Sequence, residues 1–196
     1  MINLFKHKIL FIIIINSLNA QINIYSHRHY DSDKILFNKF TEKTGIEINI
    51  IKGSADQLIE RLINEGENSP ADILLTVDAG RLYRAKIANI LEPVNSSLLK
   101  KNIPHNFRDP ENYWFGFSVR ARVLVHSKDR VKPNELSTYE DLATSKWKGR
   151  IAVRSSSNIY NQSLMSSIIE VHGSEEAHKW ARAVRSNMAR APRGSD

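Results

Sequence analysis

Hydrophobic positions after residue 20 alternate between two spacings along the chain. Alternation of apolar and polar residues predicts short strands at 22–26 and 46–52. Apolar residues three and four positions apart predict a helix after each of these strands. The run 71–76 is almost continuously apolar, which is typical of a buried parallel strand. Three strands separated by two helices therefore predict an α/β fold with a parallel sheet covered on both faces.

Polar residues and glycines mark the ends of these two helices. Asp31 or Ser32 is placed to cap the first helix, and Gly45 stands where the helix should end. The segment Ser54–Gln57 has the spacing of a capping box for the second helix, which should end before Gly66. The first helix is expected to turn four apolar residues inward: Ile35, Leu36, Phe37 and Phe40.

The middle of the chain predicts a further helix, an irregular connection and a long strand. The helix is expected at 79–88, and the connection at 91–112, where prolines and asparagines are frequent. Residues 115–127 alternate, with valines and an alanine on one side and two arginines, a leucine and a histidine on the other. Such a strand is long enough to run from one lobe into another, so we expect a first lobe at 21–113 and a crossing strand at 114–127.

The remaining residues, 128–196, predict only part of a second α/β lobe. A short capped helix near Thr138 precedes a buried strand at 151–153, and helices are expected at 159–171 and from Ser174 onward. One or two strands are too few to cover two helices and a sheet. The pattern therefore predicts that the second lobe is incomplete.

The N-terminus has the three parts of a secretory signal peptide. Lys6, His7 and Lys8 are followed by the apolar run 9–15 and, after a short polar stretch, by Ala20. This run is far shorter than the roughly 20 apolar residues of a spanning helix. We predict that 1–20 is a signal peptide that exports the chain to the periplasm.

Composition narrows the range of chemistry that the 196 residues can perform. The chain has no cysteine, which excludes disulfides, thiolate metal ligands and a thiol nucleophile. Its formal charge is +7, yet the cations are dispersed rather than clustered, so we expect no nucleic-acid binding. Neither a Walker A loop, a G-x-G-x-x-G loop, an H-E-x-x-H motif nor a G-x-S-x-G elbow is present. We therefore expect a binding protein and assign no catalytic residue.

Two loops at predicted strand ends carry candidate ligands. Residues 26–31 include His27, His29 and Tyr30, and residues 155–161 include Tyr160. Ligands of open α/β sheets bind at such strand ends. A phenolate oxygen suits a hard, highly charged cation such as Fe(III), whereas Ca²⁺ or Mg²⁺ would require clustered carboxylates. The alternative for both loops is purely structural, with polar residues capping helices and the tyrosines packing against them.

Four segments, taken together, resemble the periplasmic ferric-iron-binding proteins of bacterial ABC transporters. They are Tyr25–Tyr30, Leu75–Leu82, Trp114–Arg122 and Trp147–Gln162. The resemblance implies a two-lobed clamshell of the type II periplasmic-binding-protein class that captures Fe(III), with an accompanying anion in some cases. It implies a monomer that delivers iron to a membrane permease and its ATPase and meets the membrane through that permease or an uncleaved signal peptide.

The same resemblance implies which residues bind the metal. His29 and Tyr30 match the ligands of the first lobe, and Tyr160 matches a tyrosine ligand of the second lobe. The family also has an adjacent tyrosine pair later in the second lobe, and this chain ends before the matching position. Three ligands are about half of an octahedral shell. The chain is expected to be a truncated product, the N-terminal piece of a split gene, or a fragment.

Three other functions fit the same residues. A binding protein for another small ligand is the nearest alternative, where Arg28 and Arg154 favour an oxyanion and the lack of clustered carboxylates disfavours a polyamine. An exported serine hydrolase would use Ser156 or Ser157. A non-functional remnant would retain the family pattern without binding iron.

Overall fold

The structure, a computed structural model, describes residues 20–28 and 30–192 and divides the chain into two units. The first unit extends to Leu75 and the second begins at Thr76. All of the predicted signal peptide except Ala20 lies outside the described residues, and so does His29.

The first unit contains a three-stranded parallel sheet with strand order β2-β1-β3. Ile24 of the central strand pairs with Ile50 on one side and with Ile73 on the other. The three strands and two helices that the sequence predicts are therefore confirmed. Their bounds are β1 at Gln21–Ser26, α1 at Asp31–Thr44, β2 at Glu47–Lys52, α2 at Ala55–Glu65 and β3 at Ile73–Leu75.

Helix α2 supplies most of the core of the first unit. Its capping box forms as predicted, since the Ser54 hydroxyl accepts from the Gln57 amide and the Gln57 side chain accepts from the Ser54 amide. Apolar residues at helical spacing then face inward. The core of this unit comprises Ile24 and Tyr25 of β1 with Ala55, Leu58, Ile59 and Leu62 of α2.

Three expectations for the first unit are wrong. Tyr30, not Asp31 or Ser32, is the N-cap of α1, and its side chain makes no capping bond. Ile35 and Leu36 are exposed rather than turned inward, and Ile73 of β3 is 45% exposed. An apolar stripe becomes buried only where another element covers it, and α2 covers one part of this unit only. Gly45 does end α1 as predicted, with a φ of 72°.

The described residues of the second unit form helices joined by long irregular segments, and they form no strand. Its core is the cluster of Trp147, Ile151 and Val184, which is buried under a ring of partly buried apolar side chains. Gly173, with a φ of 80°, interrupts the last helix, in agreement with the prediction of two successive helices there. The helices are α3 at Ala79–Ile87, α4 at Ser97–Asn102 and α5 at Ile159–Ser186.

Several predicted elements of the second unit are shorter than expected. Phe115 forms an isolated bridge with Arg108, and residues 116–127 form no strand. The strand predicted at 151–153 is reduced to a parallel bridge between Ile151 and Met188. The helix near Thr138 is a 3-10 turn at Glu140–Ala143, and α4 lies within the connection predicted to be irregular. A strand needs a ladder partner, which the described chain does not supply here.

Candidate functional site

The first candidate loop leaves the end of β1 and enters α1. The His27 amide donates to the Leu75 carbonyl at 3.0 Å, which ties the loop to the end of β3. Arg28 makes a forked pair with Asp33, with donor–acceptor distances of 3.0 and 2.9 Å. This hydrogen bonding raises the pKa of Arg28. The loop therefore carries a fixed positive charge beside its tyrosine.

Tyr30 is exposed at the start of α1. The Arg28 guanidinium lies 5.0 Å from the centre of its ring, within the range of a cation–π contact. The Tyr30 carbonyl accepts from the Asp33 amide in the first turn of the helix. The phenol is thus accessible, and its backbone is held by the helix that it begins. His29, the neighbouring candidate ligand, is outside the described residues.

The second candidate loop is organised by two asparagines. The Asn158 side chain accepts from the Tyr160 amide at 3.0 Å and caps α5. Asn161 donates to the carbonyls of Arg154 and Ser155 at 2.8 and 3.2 Å. The bonds hold the loop against the first turn of the helix, and they fix the position of the Tyr160 backbone.

Tyr160 lies among three arginines within the second unit. Arg120 donates to the phenol oxygen at 2.8 Å, and Arg122 donates to the Tyr160 carbonyl at 3.0 Å. The guanidinium carbons of Arg122, Arg120 and Arg154 lie 4.6, 5.6 and 5.8 Å from the ring centre. Three positive charges around one phenol create a site suited to an anionic oxygen.

Asp78 balances part of this charge and links α3 to α5. Its carboxylate accepts from the Ser163 hydroxyl at 2.8 and 2.7 Å and from Arg122 at 3.4 Å. It also caps α3 by accepting from the Gly80 amide at 3.0 Å. The backbone of Asp78 has a φ of 75° and a ψ of 129°, which lies outside the left-handed helical region and is strained for a residue other than glycine. Asp78 is thus an acidic partner of Arg122 within this cluster.

A groove of about 440 Å³ borders this cluster. Leu164, Ile168 and Val171 of α5 give it an apolar wall, and Arg120 and Arg122 also line it. The lining further includes His172, whose Nε2 lies 2.8 Å from a Glu140 carboxylate oxygen, together with Tyr139, Ser163 and Ser167. The groove has room for a small carboxylic acid beside the arginines.

The sequence indicated Tyr160 as a candidate metal ligand, but it did not indicate most of the side chains around it. Arg122 is half-buried, and Arg120 and Arg122 both bond to Tyr160, which the alternating pattern of 115–127 does not predict. Asp78 was not predicted as a site residue. A usable indication was that two arginines share one side of the alternating segment 115–127, so both should face the same neighbour.

The part of the chain that the structure describes has no cluster of carboxylate and histidine side chains of the kind that binds metal ions in many proteins. Among residues 20–28 and 30–192, no three His, Cys, Asp or Glu side chains lie close enough together to hold a metal ion. Ser156 and Ser157, the candidate nucleophiles, are exposed, and no described histidine hydrogen-bonds to either. The main candidate metal ligands in the two loops are therefore the phenol oxygens of Tyr30 and Tyr160.

Comparison with known proteins matches the sequence of this chain to a protein family. Residues 68–195 match the family described as bacterial extracellular solute-binding protein. The chain is similar to iron uptake protein A1 of Synechocystis, with 54% identity over 176 residues that cover 90% of this chain and 49% of that protein. The chain spans about half the length of the curated relatives that it matches.

Solved structures show the same likeness. A structure of Trichodesmium (IdiA) (FutA) in complex with iron and citrate ligands is 58% identical in sequence and has a TM-score of 0.87. The match covers 90% of this chain and 56% of that chain. A ferric binding protein from Campylobacter jejuni is 43% identical, with a TM-score of 0.81, and 89% and 56% of the two chains are covered. The predicted resemblance and the predicted fold class are confirmed, and this chain covers about half of each of these structures.

Proposed function

Because this chain belongs to the bacterial extracellular solute-binding protein family, we propose that it contributes ligands for ferric iron captured in the periplasm. Tyr160 is the ligand from the second unit, and Tyr30 with His29 are the ligands from the first. The observation that carries the proposal is the phenol of Tyr160, which accepts from Arg120 at 2.8 Å and is surrounded by three guanidinium groups.

The arginines suit a phenolate–iron bond for electrostatic reasons. A metal ligand must be deprotonated, and a phenolate is an anionic, hard oxygen ligand. Positive groups around Tyr160 offset its negative charge. A phenolate oxygen can accept a hydrogen bond from Arg120 and still direct a lone pair at a metal. Fe(III), with its higher charge, benefits more from anionic oxygen than Fe(II) does.

The same arginines are suited to an accompanying anion. Three proposed ligands leave about half of an octahedral shell open, and a carboxylate could occupy part of it. Arg120 and Arg122 line the groove beside Tyr160, and Arg154 lies next to the ring. One relative is known with both iron and citrate, and a carboxylate of that kind would be bound here by guanidinium groups.

Delivery of the iron would require a membrane partner. We infer a permease with its ATPase as that partner, consistent with a solute-binding family, and assign the chain no catalytic step. Within residues 20–28 and 30–192, no helix is long and apolar enough to cross a membrane. Contact with the membrane would therefore be made through the permease or through an uncleaved N-terminal segment.

Titration with Fe(III) supplied as a weak chelate tests the proposed function. We expect a visible phenolate-to-iron charge-transfer band in the chain and a weaker band in both Tyr160→Phe and Tyr30→Phe, because each removes one coordinating oxygen. Tyr83→Phe is the matched control, since Tyr83 is an exposed tyrosine of α3 far along the chain from both loops. A band unaffected by both substitutions would refute the assignment of these ligands.

Removal of the Arg120 charge should weaken iron binding without removing a ligand. We expect Arg120→Gln to lower the apparent affinity for Fe(III) by roughly tenfold, since partners that orient metal ligands typically contribute that much. Competition with a chromogenic chelator measures the change. Lys101→Gln, which removes an exposed positive charge from α4, should leave the affinity unchanged. Equal losses in the two variants would indicate a general charge effect.

The arginine cluster also favours a second candidate, the binding of an oxyanion without iron. Calorimetric titration with citrate in the absence of metal distinguishes the two. Tight binding of citrate alone that Arg122→Gln abolishes would favour the oxyanion function. Binding that requires Fe(III) would favour iron capture. A polyamine would require clustered carboxylates, and no three acidic or histidine side chains of residues 20–28 and 30–192 lie together.

A further inference from the structure

Asp78 places a carboxylate beside the arginines that surround Tyr160. Its side chain is 9% exposed, and its Oδ2 lies 3.4 Å from the Nη2 of Arg122. Arg122 also donates through its Nε to the Tyr160 carbonyl at 3.0 Å. A single guanidinium group therefore faces both the proposed iron ligand and an internal carboxylate.

Two elements hold this carboxylate in place. The Ser163 hydroxyl of α5 donates to its oxygens at 2.8 and 2.7 Å, and the Gly80 amide in the first turn of α3 donates at 3.0 Å. Backbone strain of the kind that Asp78 shows persists only where the surrounding contacts impose it. The carboxylate is thus fixed next to Arg122 instead of turning to solvent.

Capping of α3 does not account for a charged residue at this position. Asparagine or serine caps a helix about as well as aspartate does, and glycine would relieve the strain at a small cost to capping. The negative charge of Asp78 therefore has a consequence other than capping, and Arg122 is the cation that its carboxylate contacts.

The Asp78 carboxylate competes with anions from solution for Arg122. Arg122 lines the groove and its side chain is 28% exposed, so a small anion can reach the guanidinium group. Guanidinium groups bind carboxylates and phosphates through charge-assisted hydrogen bonds. A carboxylate fixed beside the same group occupies one of its donors and repels a second negative charge.

We propose that Asp78 is a specificity-determining residue that keeps free carboxylates and phosphates off Arg122 while no iron is bound. The inference rests on the proposed function, in which these arginines bind an accompanying anion. The charge of Fe(III) outweighs the single negative charge of Asp78, so bound iron admits the anion. Asp78 thereby makes anion binding conditional on iron.

Calorimetric titration of the iron-free chain with citrate tests this role. We expect Asp78→Asn to bind citrate about tenfold more tightly than the unaltered chain, because it removes a negative charge beside Arg122. Asparagine keeps the shape of the side chain, can accept from the Gly80 amide and tolerates a positive φ. Asp78→Gly, which also relieves the backbone strain, should show the same gain. A residue with a purely structural role would weaken binding when replaced, so unchanged or weaker citrate binding by both variants would overturn the proposal.

Two control variants separate the local charge from other effects. Asp129→Asn removes a carboxylate from an exposed position and should leave the citrate affinity unchanged. Ser163→Ala keeps the charge of Asp78 but removes its hydroxyl donor, so it should not raise the affinity. A gain in either control equal to that of Asp78→Asn would assign the effect to net charge or to the packing of α5 and contradict the proposal.

A double variant shows whether the effect passes through Arg122. In the presence of Arg122→Gln, Asp78→Asn should raise the citrate affinity by less than about twofold, since the competing pair no longer exists. A full gain without Arg122 would contradict the proposal. These titrations contain no metal, so they decide the role of Asp78 separately from the charge-transfer band, whose absence would instead refute ferric-iron binding.

Discussion

Replacement of Tyr25 with alanine is expected to lower the free energy of unfolding of the first unit by about 3–5 kcal/mol, the usual cost of deleting a buried aromatic ring. Tyr25 is fully buried on the central strand β1. Its phenol donates to the two Glu65 carboxylate oxygens at 2.8 and 2.9 Å, and the Arg61 guanidinium lies 4.7 Å from the ring centre. Since domains are stable by only about 5–15 kcal/mol, this loss would be a substantial fraction of the stability of this unit.

The polar contacts of Tyr25 make a smaller contribution than its ring. Burial and the bond to Glu65 raise the pKa of Tyr25, so the phenol stays protonated and acts as a donor. Tyr25→Phe keeps the ring and should cost about 1 kcal/mol, because Glu65 retains Arg61 and Ser69 as donors. Denaturant-dependent amide exchange on β1 measures both variants.

The control for Tyr25 is an exposed tyrosine. Tyr83→Ala should change the free energy of unfolding by less than about 0.5 kcal/mol, because surface substitutions rarely do more. A Tyr25→Ala variant as stable as Tyr83→Ala would mean that β1 is not the centre of the core of this unit.

Removal of the Asp109 carboxylate is expected to cause the second large loss of stability, in the second unit. Asp109 is 4% exposed and accepts from Lys86 at 2.9 and 3.1 Å and from the amides of Glu111 and Tyr113 at 3.1 and 3.2 Å. Asp109→Ala leaves these donors without their acceptor and should cost about 2–4 kcal/mol. The intrinsic fluorescence of Trp114, whose carbonyl accepts from the Asp109 amide, follows the unfolding.

The charge of Asp109 also makes the second unit sensitive to acid. Burial disfavours the ionised carboxyl, but the bonds from Lys86 and from the backbone outweigh it and lower the pKa of Asp109. A lowered pKa in the folded state means that this stabilisation is complete above the unfolded value of about 3.9 and is lost as the pH falls through the folded value.

Two variants test the acid sensitivity. Asp109→Asn should be less stable than the unaltered chain at neutral pH, and its stability should fall less steeply below about pH 4. Asp129→Ala removes an exposed carboxylate and should preserve the original acid dependence. Identical acid profiles for Asp109→Asn and the unaltered chain would exclude Asp109 as a source of that dependence.

The ends of elements were the most predictable part of the fold. The capping box of Ser54 and Gln57, the left-handed Gly45 after α1 and the break at Gly173 all follow from residues within one helical turn. The alternation in β1 and β2 was equally reliable, because these two strands lie side by side over their whole length. Helix caps of this kind depend on residues within one helical turn, so they can be predicted without knowledge of tertiary contacts.

Residues 115–127 show what a local pattern of apolar and polar residues does not determine. Their alternation is clear, yet they form no strand, because a strand also needs backbone partners that a local pattern cannot supply. The apolar stripe of α1 is a second example. Ile35 and Leu36 have helical spacing, but they remain exposed because no element covers them. Periodicity specifies which side of an element is apolar, and the rest of the protein decides whether that side is buried.

The sequence by itself determined the α/β character of the first unit, the end of α1 at Gly45 and the start of α2 at Ser54, because short-range spacing and capping control these features. Tertiary structure alone decided that Arg120 meets the phenol of Tyr160 across 40 residues and that Asp78 meets Ser163 across 85. Contacts at such separations depend on how distant elements pack, and no local period encodes that. The arginine surroundings of Tyr160 are therefore a product of the fold.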